Sequence, residues 1–173
     1  LTLRSGRTAV NLLMFTMACR PLSNLLGLSA FFKIRVITGV YAFFYALLHF
    51  LVFAGLDFGF NLEWILEEIQ QKPFIQIGLL ALILLFPLAV TSINKVRKKM
   101  GGSWRVLHRI VYFISLLAII HYLMASKGDI LLPIIYGLIL SILLLFRLPP
   151  LNRLKLFTDV IWLKNLNNYL LKA

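Results

Sequence analysis

The chain has little of what a soluble, disulfide-bonded or nucleic-acid-binding protein needs. A single cysteine, Cys19, stands among 173 residues, which excludes an internal disulfide framework and the Cys-x-x-Cys-His attachment of c-type haem. Charge is scarce at 14%, and acids are scarcest, with six Asp and Glu against eighteen Lys and Arg. What replaces them is apolar: 61% hydrophobic residues and a mean hydropathy of +0.91. That composition is too apolar for a soluble domain, and several runs approach the length of about twenty residues needed to cross a bilayer. The basic residues flank those runs rather than forming a soluble basic domain. The net charge of +12 is therefore a membrane-topology signal and not a nucleic-acid patch. No internal repeat and no low-complexity linker divides the chain. The opening residues show neither an initiator methionine nor a signal peptide, so the native N-terminus is expected upstream.

The pattern predicts an all-α polytopic membrane helix bundle of five spans. The first runs from about Thr8 to Pro21, with Arg20 and Pro21 as its stop signal, and the second from about Val36 to Leu56. Between the second and third, DFGFNLEWILEEIQQK places Leu62, Ile65, Leu66 and Ile69 at helical spacing, which reads as a short interfacial helix. The third span starts at Pro73 and reaches Ile93; Pro87 is expected to kink it, with Thr91 or Ser92 satisfying the freed backbone. The basic loop NKVRKKMGGSWR precedes a fourth span, Val106 to Met124, and a short ASKGD turn leads to a fifth, Ile130 to Phe146. Residues 1–147 form one transmembrane domain. Residues 148–173 are too interrupted by charge to span and are expected to lie along the headgroups as a cytoplasmic amphipathic tail.

Threading five spans puts fourteen of the eighteen Lys and Arg on one side with one acid, Asp159, and four on the other with five acids. The positive-inside rule places the first side, and the C-terminus, in the cytoplasm.

Histidine is also rare: His49, His108 and His121 are all. His108 and His121 sit near the two ends of HRIVYFISLLAIIHYLM, roughly 20 Å apart along a helix. His49 lies as far beyond Arg35 as His121 lies beyond His108. His49 and His121 should therefore be level on neighbouring helices near the outer face, as axial ligation of a b-type haem requires. Ionisable side chains inside a span default to a functional reading. His108 has Arg35 opposite it, near the inner face. Arg35 and Lys33 offer fixed positive charge for a phosphate or a reduced, anionic quinone, or else anchor the span in the headgroups. Trp104, one helical turn before His108, either stacks on an inner cofactor or anchors the interface. Tyr41, Tyr45 and Phe53 are candidates to line a haem pocket. Gly39 and Gly137 would admit a macrocycle close to the backbone, or serve helix packing. On an ideal helix His108 and His121 point some 140° apart, so either the helix is distorted or the inner site lies around another face.

The order GRTA, ALLH after Arg35, KPFIQIGLLALILLFPLAVTS, WRVLHR and VYFISLLAIIHYL resembles the MsrQ (YedZ) family of haem-binding membrane subunits, within the ferric-reductase-like transmembrane superfamily. The likeness covers about residues 6 to 147. It implies haem b on His49 and His121, with electrons drawn from the quinone pool, or from a bound FMN served by a flavin reductase. These pass across the bacterial inner membrane to a periplasmic molybdenum-cofactor subunit, MsrP-like, which reduces methionine sulfoxide in oxidised proteins. Members of the family have six spans, so the first is expected to be missing here. The superfamily's second inner histidine falls at or beside Arg35, which removes an inner bis-histidine haem and implies an FMN or quinone site around Arg35, Lys33, His108 and Trp104. An oxidase-like ferric reductase would need a cytosolic flavin and nicotinamide domain larger than the 27 residues from Arg147 onward. A non-redox transporter or assembly protein is the alternative from another class.

Overall fold

The structure is a computed structural model and describes residues 2–148. Every regular element among the described residues is helical. Helix α1, Thr2–Leu26, does not stop at Pro21 but runs through it. Proline lacks the N–H that would bond the carbonyl four residues back, so Met17 loses its helical donor. Arg147 replaces it: its Nη2 donates to the Met17 carbonyl at 2.9 Å, while Nη1 donates to the Tyr112 hydroxyl. A side chain from the far end of the sequence thus repairs the interruption that was expected to end the span.

Helix α2, Ala30–Val52, starts earlier than Val36 because the chain reverses at Gly27, whose φ is 69°. Lys33 and Arg35 consequently fall inside its first turns. It ends in a wide turn, Phe53–Asp57. A Cβ at Gly55 would lie 2.8 Å from the Phe60 ring, so glycine is what lets the loop fold back there. Helix α3, Leu62–Gln71, is the expected short helix, and the Asn61 side chain accepts from the backbone N–H groups of Glu63 and Trp64 at 3.0 and 3.3 Å. Asn at that position satisfies donors that the first helical turn leaves without partners. Its far end is held by Gln76, which donates to the Ile69 carbonyl at 2.9 Å, and by the Lys72–Glu68 ion pair.

Helix α4, Pro73–Thr91, continues through Pro87. The hydroxyls of Thr91 and Ser92 donate to the carbonyls of Pro87 and Leu88, each at 2.7 Å, rather than to the carbonyl that Pro87 frees one turn earlier. Short helices α5, Asn94–Met100, and α6, Gly102–Leu107, meet at Gly101 with φ 53°. A single 3₁₀ turn, His108–Ile110, joins α6 to α7, Val111–Ala125, and α8 is Leu131–Leu145.

Among the described residues three stretches are long and apolar enough to cross a membrane: Ala30–Asp57, Pro73–Thr91 and Gly102–Ala125. The shorter apolar α8 and the long α1, diluted by Arg4, Arg7 and Arg20, pack beside them. Helix α1 packs chiefly on α2 and α4 on α7, and the pairs meet through α2 against α4 and α1 against α7 and α8. The centre is filled by Leu13, Met14, Met17, Ala42, Phe43, Ala81, Leu85, Leu88, Ile114, Leu117 and Leu140. Where α1 crosses α2, the hydroxyls of Thr16 and Thr38 meet at 2.9 Å. The outer faces are equally apolar: Ile37, Phe44, Ile83, Phe86, Leu116 and Leu138 are between 48% and 61% exposed. A surface so continuously apolar matches hydrocarbon rather than water. The expected amphipathic tail lies, apart from Leu148, outside the described residues.

Candidate cofactor site

Both ends of the bundle carry polar side chains, and they differ in charge. All five described acids lie at one end, around Asp57, α3 and Asp129, and the described basic residues concentrate at the other. His49 and His121 are at the acidic end, on α2 and α7. Their ring centroids are 6.1 Å apart and the ring planes are inclined at 73°. An iron bonded by two imidazoles at metal–nitrogen distances of about 2 Å needs centroids roughly 6 Å apart.

Two glycines bring the rings this close. A Cβ at Gly78 would lie 2.7 Å from both Cε1 and Nδ1 of His121, and one at Gly6 would lie 3.0 Å from Cε1 and 3.1 Å from Nδ1 of His49. An added Cβ at Gly78 would force the His121 ring to shift, and one at Gly6 would crowd His49 by a few tenths of an ångström. The Nδ1–H of His121 donates to the Phe74 carbonyl at 2.6 Å, which fixes the tautomer and leaves the lone pair on Nε2, the arrangement typical of a ligating histidine. The Ser5 hydroxyl stands 3.5 Å from Nδ1 of His49.

Between the helices is a cavity of about 520 Å³ lined by both histidines and both glycines. That volume is in the range of sites for drug-sized and cofactor-sized molecules, about 300–1,000 Å³. Its walls are small where helices converge, at Ala9, Ala42, Ala46, Ala81 and Ala118, and aromatic at Phe50, Phe53, Phe58, Phe74 and Tyr122. Arg7, Asp57 and Glu68 also line it. A metal held by protein alone takes three or four ligands, and among the described residues no group of three or more His, Cys, Asp or Glu is placed to supply them. Two imidazoles facing a flat apolar cavity suit a metal that brings its own macrocycle, so the residues present fit a haem.

At the basic end His108 opens the 3₁₀ turn, and it faces another side of the bundle from His121, the second of the two arrangements that the helical angle allowed. His108 and His121 line different cavities. Trp104 stacks on His108, with centroids 4.1 Å apart, and donates its indole N–H to the Thr91 carbonyl at 3.0 Å. Thr91 donates its hydroxyl proton to Pro87, so it accepts from Nε2–H of His108, 3.0 Å away. The Arg97 guanidinium lies 4.8 Å from the Trp104 ring. Arg35 joins His108 and Trp104 around a cavity of only about 40 Å³, room for a few waters at about 10–15 Å³ each.

The sequence reading named His49, His121, Arg35, His108 and Trp104, and the structure brings them together in two groups as described. Lys33 is different: it is exposed and does not line the inner cavity. Of the three aromatic candidates only Phe53 lines the large cavity; Tyr41 and Tyr45, 55% and 37% exposed, lie on the outer surface of α2. Gly39 meets Thr16 at 3.6 Å and Gly137 meets Ile119 at 3.7 Å, which are ordinary packing contacts between helices. Gly6 and Gly78 were the glycines that mattered and were missed. A usable signal was present: Ala42, Ala46 and His49 repeat the spacing of Ile114, Ala118 and His121, so each histidine has a small residue one turn before it on the same face.

The ferric reductase like transmembrane component family matches residues 5–119. The chain is 41% identical over 150 residues to the protein-methionine-sulfoxide reductase heme-binding subunit MsrQ of Herminiimonas arsenicoxydans, covering 85% of this chain and 69% of that protein. Proteins of the same description from Bordetella parapertussis and Brucella anthropi are 40% and 41% identical, over 85% and 83% of this chain and 72% and 64% of their own lengths.

Proposed function

The chain belongs to the ferric reductase like transmembrane component family, and from that premise we propose that it is a haem b-binding membrane electron-transfer subunit. The observation that carries this is the His49–His121 pair, 6.1 Å between centroids, across a cavity of about 520 Å³. The names of its relatives as heme-binding subunits of a methionine sulfoxide reductase support the same reading. His49 and His121 would hold the iron, and a bound haem supplies one-electron chemistry, its iron alternating between ferric and ferrous.

The chain's own residues set the conditions for that chemistry. Phe74 holds His121 in one tautomer, and Gly78 and Gly6 let the helix backbones approach both imidazoles closely. The alanine and phenylalanine walls exclude water, which limits the reorganisation that accompanies a change of charge. Arg7 lines the same cavity and can pair with an acidic substituent of the macrocycle.

Helices α1, α2, α4 and α8 and the stretch from α6 through α7 act as five spans of a bacterial inner membrane, with the basic end and the C-terminus in the cytoplasm. Reducing equivalents enter at the basic end, from the quinone pool or from FMN served by a flavin reductase. The enclosed space there, about 40 Å³, is too small for either ring system, so the donor sits against the headgroup face of Arg35, Trp104 and His108. Electrons leave at the acidic end to a periplasmic molybdenum-cofactor subunit, MsrP-like, on which methionine sulfoxide is reduced. Glu63, Glu67 and Glu68 contribute a salt-sensitive docking surface for it. The test is haem per polypeptide in purified protein. His49→Ala and His121→Ala should each abolish the low-spin spectrum, while His108→Ala should keep the haem and slow its reduction from the cytoplasmic side. Loss of the same haem in His108→Ala would refute the pairing.

A further inference from the structure

We infer that Leu13 and Leu85 form a hydrophobic partition that keeps water and protons from passing through the bundle between its two cavities. The larger cavity carries Arg7 and Asp57, both exposed, toward the acidic end. The smaller carries Arg35, Ser92 and His108, all half-buried, toward the basic end. Among the described residues only Leu13, on α1, and Leu85, on α4, line both. Helix α4 presents Gly78, Leu82 and Leu85 to the larger cavity and Leu85, Leu88 and Ser92 to the smaller. These positions recur three or four residues apart and share one helical face. Helix α1 does the same, with Val10 on one side of Leu13 and Thr16 on the other.

The cavities therefore abut, and what stands between them is two leucine side chains, 3% and 7% exposed. Both cavities have polar walls that can hydrogen-bond water, with Arg35, Ser92 and His108 in one and Arg7, Asp57 and Glu68 in the other. A water between leucines has no such partner, and space lined by leucine alone stays dry. Hydrophobic constrictions in membrane pores block conduction by the same exclusion of water. The consequence suits a membrane electron carrier. Protons need a chain of hydrogen bonds and electrons do not, so a leucine partition passes the second and stops the first. The inference rests on the reading of the bundle as a membrane-spanning electron carrier, and it holds for any donor or acceptor.

The experiment reconstitutes the full chain, as purified, into phosphatidylcholine vesicles that enclose the pH dye pyranine, and a potassium diffusion potential set with valinomycin drives protons inward. Wild type should be as tight as protein-free vesicles. The double variant Leu13→Ser, Leu85→Ser should raise proton flux about tenfold or more, the worth of a hydrogen bond offered to a water that otherwise has none. Leu140→Ser is the control: Leu140 is 3% exposed, lies on α8 and lines neither cavity, so its loss perturbs the core without joining them. Leu85→Met, which keeps the volume and the apolar surface, should stay tight. Should the double variant fail to fold, Leu85→Ser alone decides by the same comparison with Leu140→Ser. A serine variant as tight as wild type, a wild type that conducts, or an equal leak in Leu140→Ser would overturn the partition. The Soret band of the same vesicles reports the haem separately, so failure of either reading is visible without the other.

Discussion

Replacing Gly78 by alanine adds one methyl group, and the structure says what it meets. The new Cβ would lie 2.7 Å from Cε1 and Nδ1 of His121 and 3.2 Å from its Cγ. Carbon atoms rest at about 3.5–4.0 Å, so the ring must retreat by roughly 1 Å. It cannot retreat cheaply, because Nδ1 is tied to the Phe74 carbonyl at 2.6 Å and His121 follows the packed face of Ile114 and Leu117. Overpacking of this kind costs about 1–3 kcal/mol, and disturbing the outer partners of a metal ligand lowers metal affinity about 10–100-fold. Gly78→Ala should therefore purify as a folded membrane protein with haem retention lowered by about that factor. Gly137→Ala is the control, since its Cβ would meet only Ile119 at 3.7 Å. The assay is haem per polypeptide by reduced pyridine spectrum alongside circular dichroism and detergent-solubilised monodispersity. Full haem loading and an unchanged spectrum in Gly78→Ala would refute the claim that glycine makes room for this ligand.

Three further outcomes follow from particular contacts. Asn61→Ala removes the cap of α3 and should cost about 1 kcal/mol of local stability, seen as faster amide exchange over Leu62–Gln71 with the haem spectrum unchanged. Thr91→Val deletes the acceptor of His108 and should lower the melting temperature through a net loss of about 1 kcal/mol, while leaving haem content at wild-type level; a loss of haem would contradict the separation of the two ends. Reversing charge at Glu63, Glu67 and Glu68 together should weaken electron delivery to the soluble partner most at low ionic strength, measured as the salt dependence of haem reoxidation.

The class of fold and the placing of His49 level with His121 were legible because hydropathy, span length and the depth of rare polar residues are one-dimensional properties. Depth along a helix is close to linear in residue number, so level histidines can be read by counting. Rotation is not readable in that way, which is why Tyr41 and Tyr45, candidates to line the pocket, lie instead on the outer surface of α2. Backbone repair was equally hidden: the sequence shows Pro21, but only the tertiary fold shows Arg147 reaching the Met17 carbonyl and carrying α1 past it. The 3₁₀ turn at His108 was likewise hidden, marked by no glycine or proline of its own.

Electron paramagnetic resonance of the oxidised, purified protein tests the central claim most directly. Two imidazoles on one ferric iron give a low-spin signal, and ring planes inclined at 73° make that signal highly anisotropic, unlike the rhombic signal of parallel planes. The account predicts that signal at one spin per chain for the haem at the acidic end. A high-spin ferric signal there, or protein that purifies without iron, would contradict it.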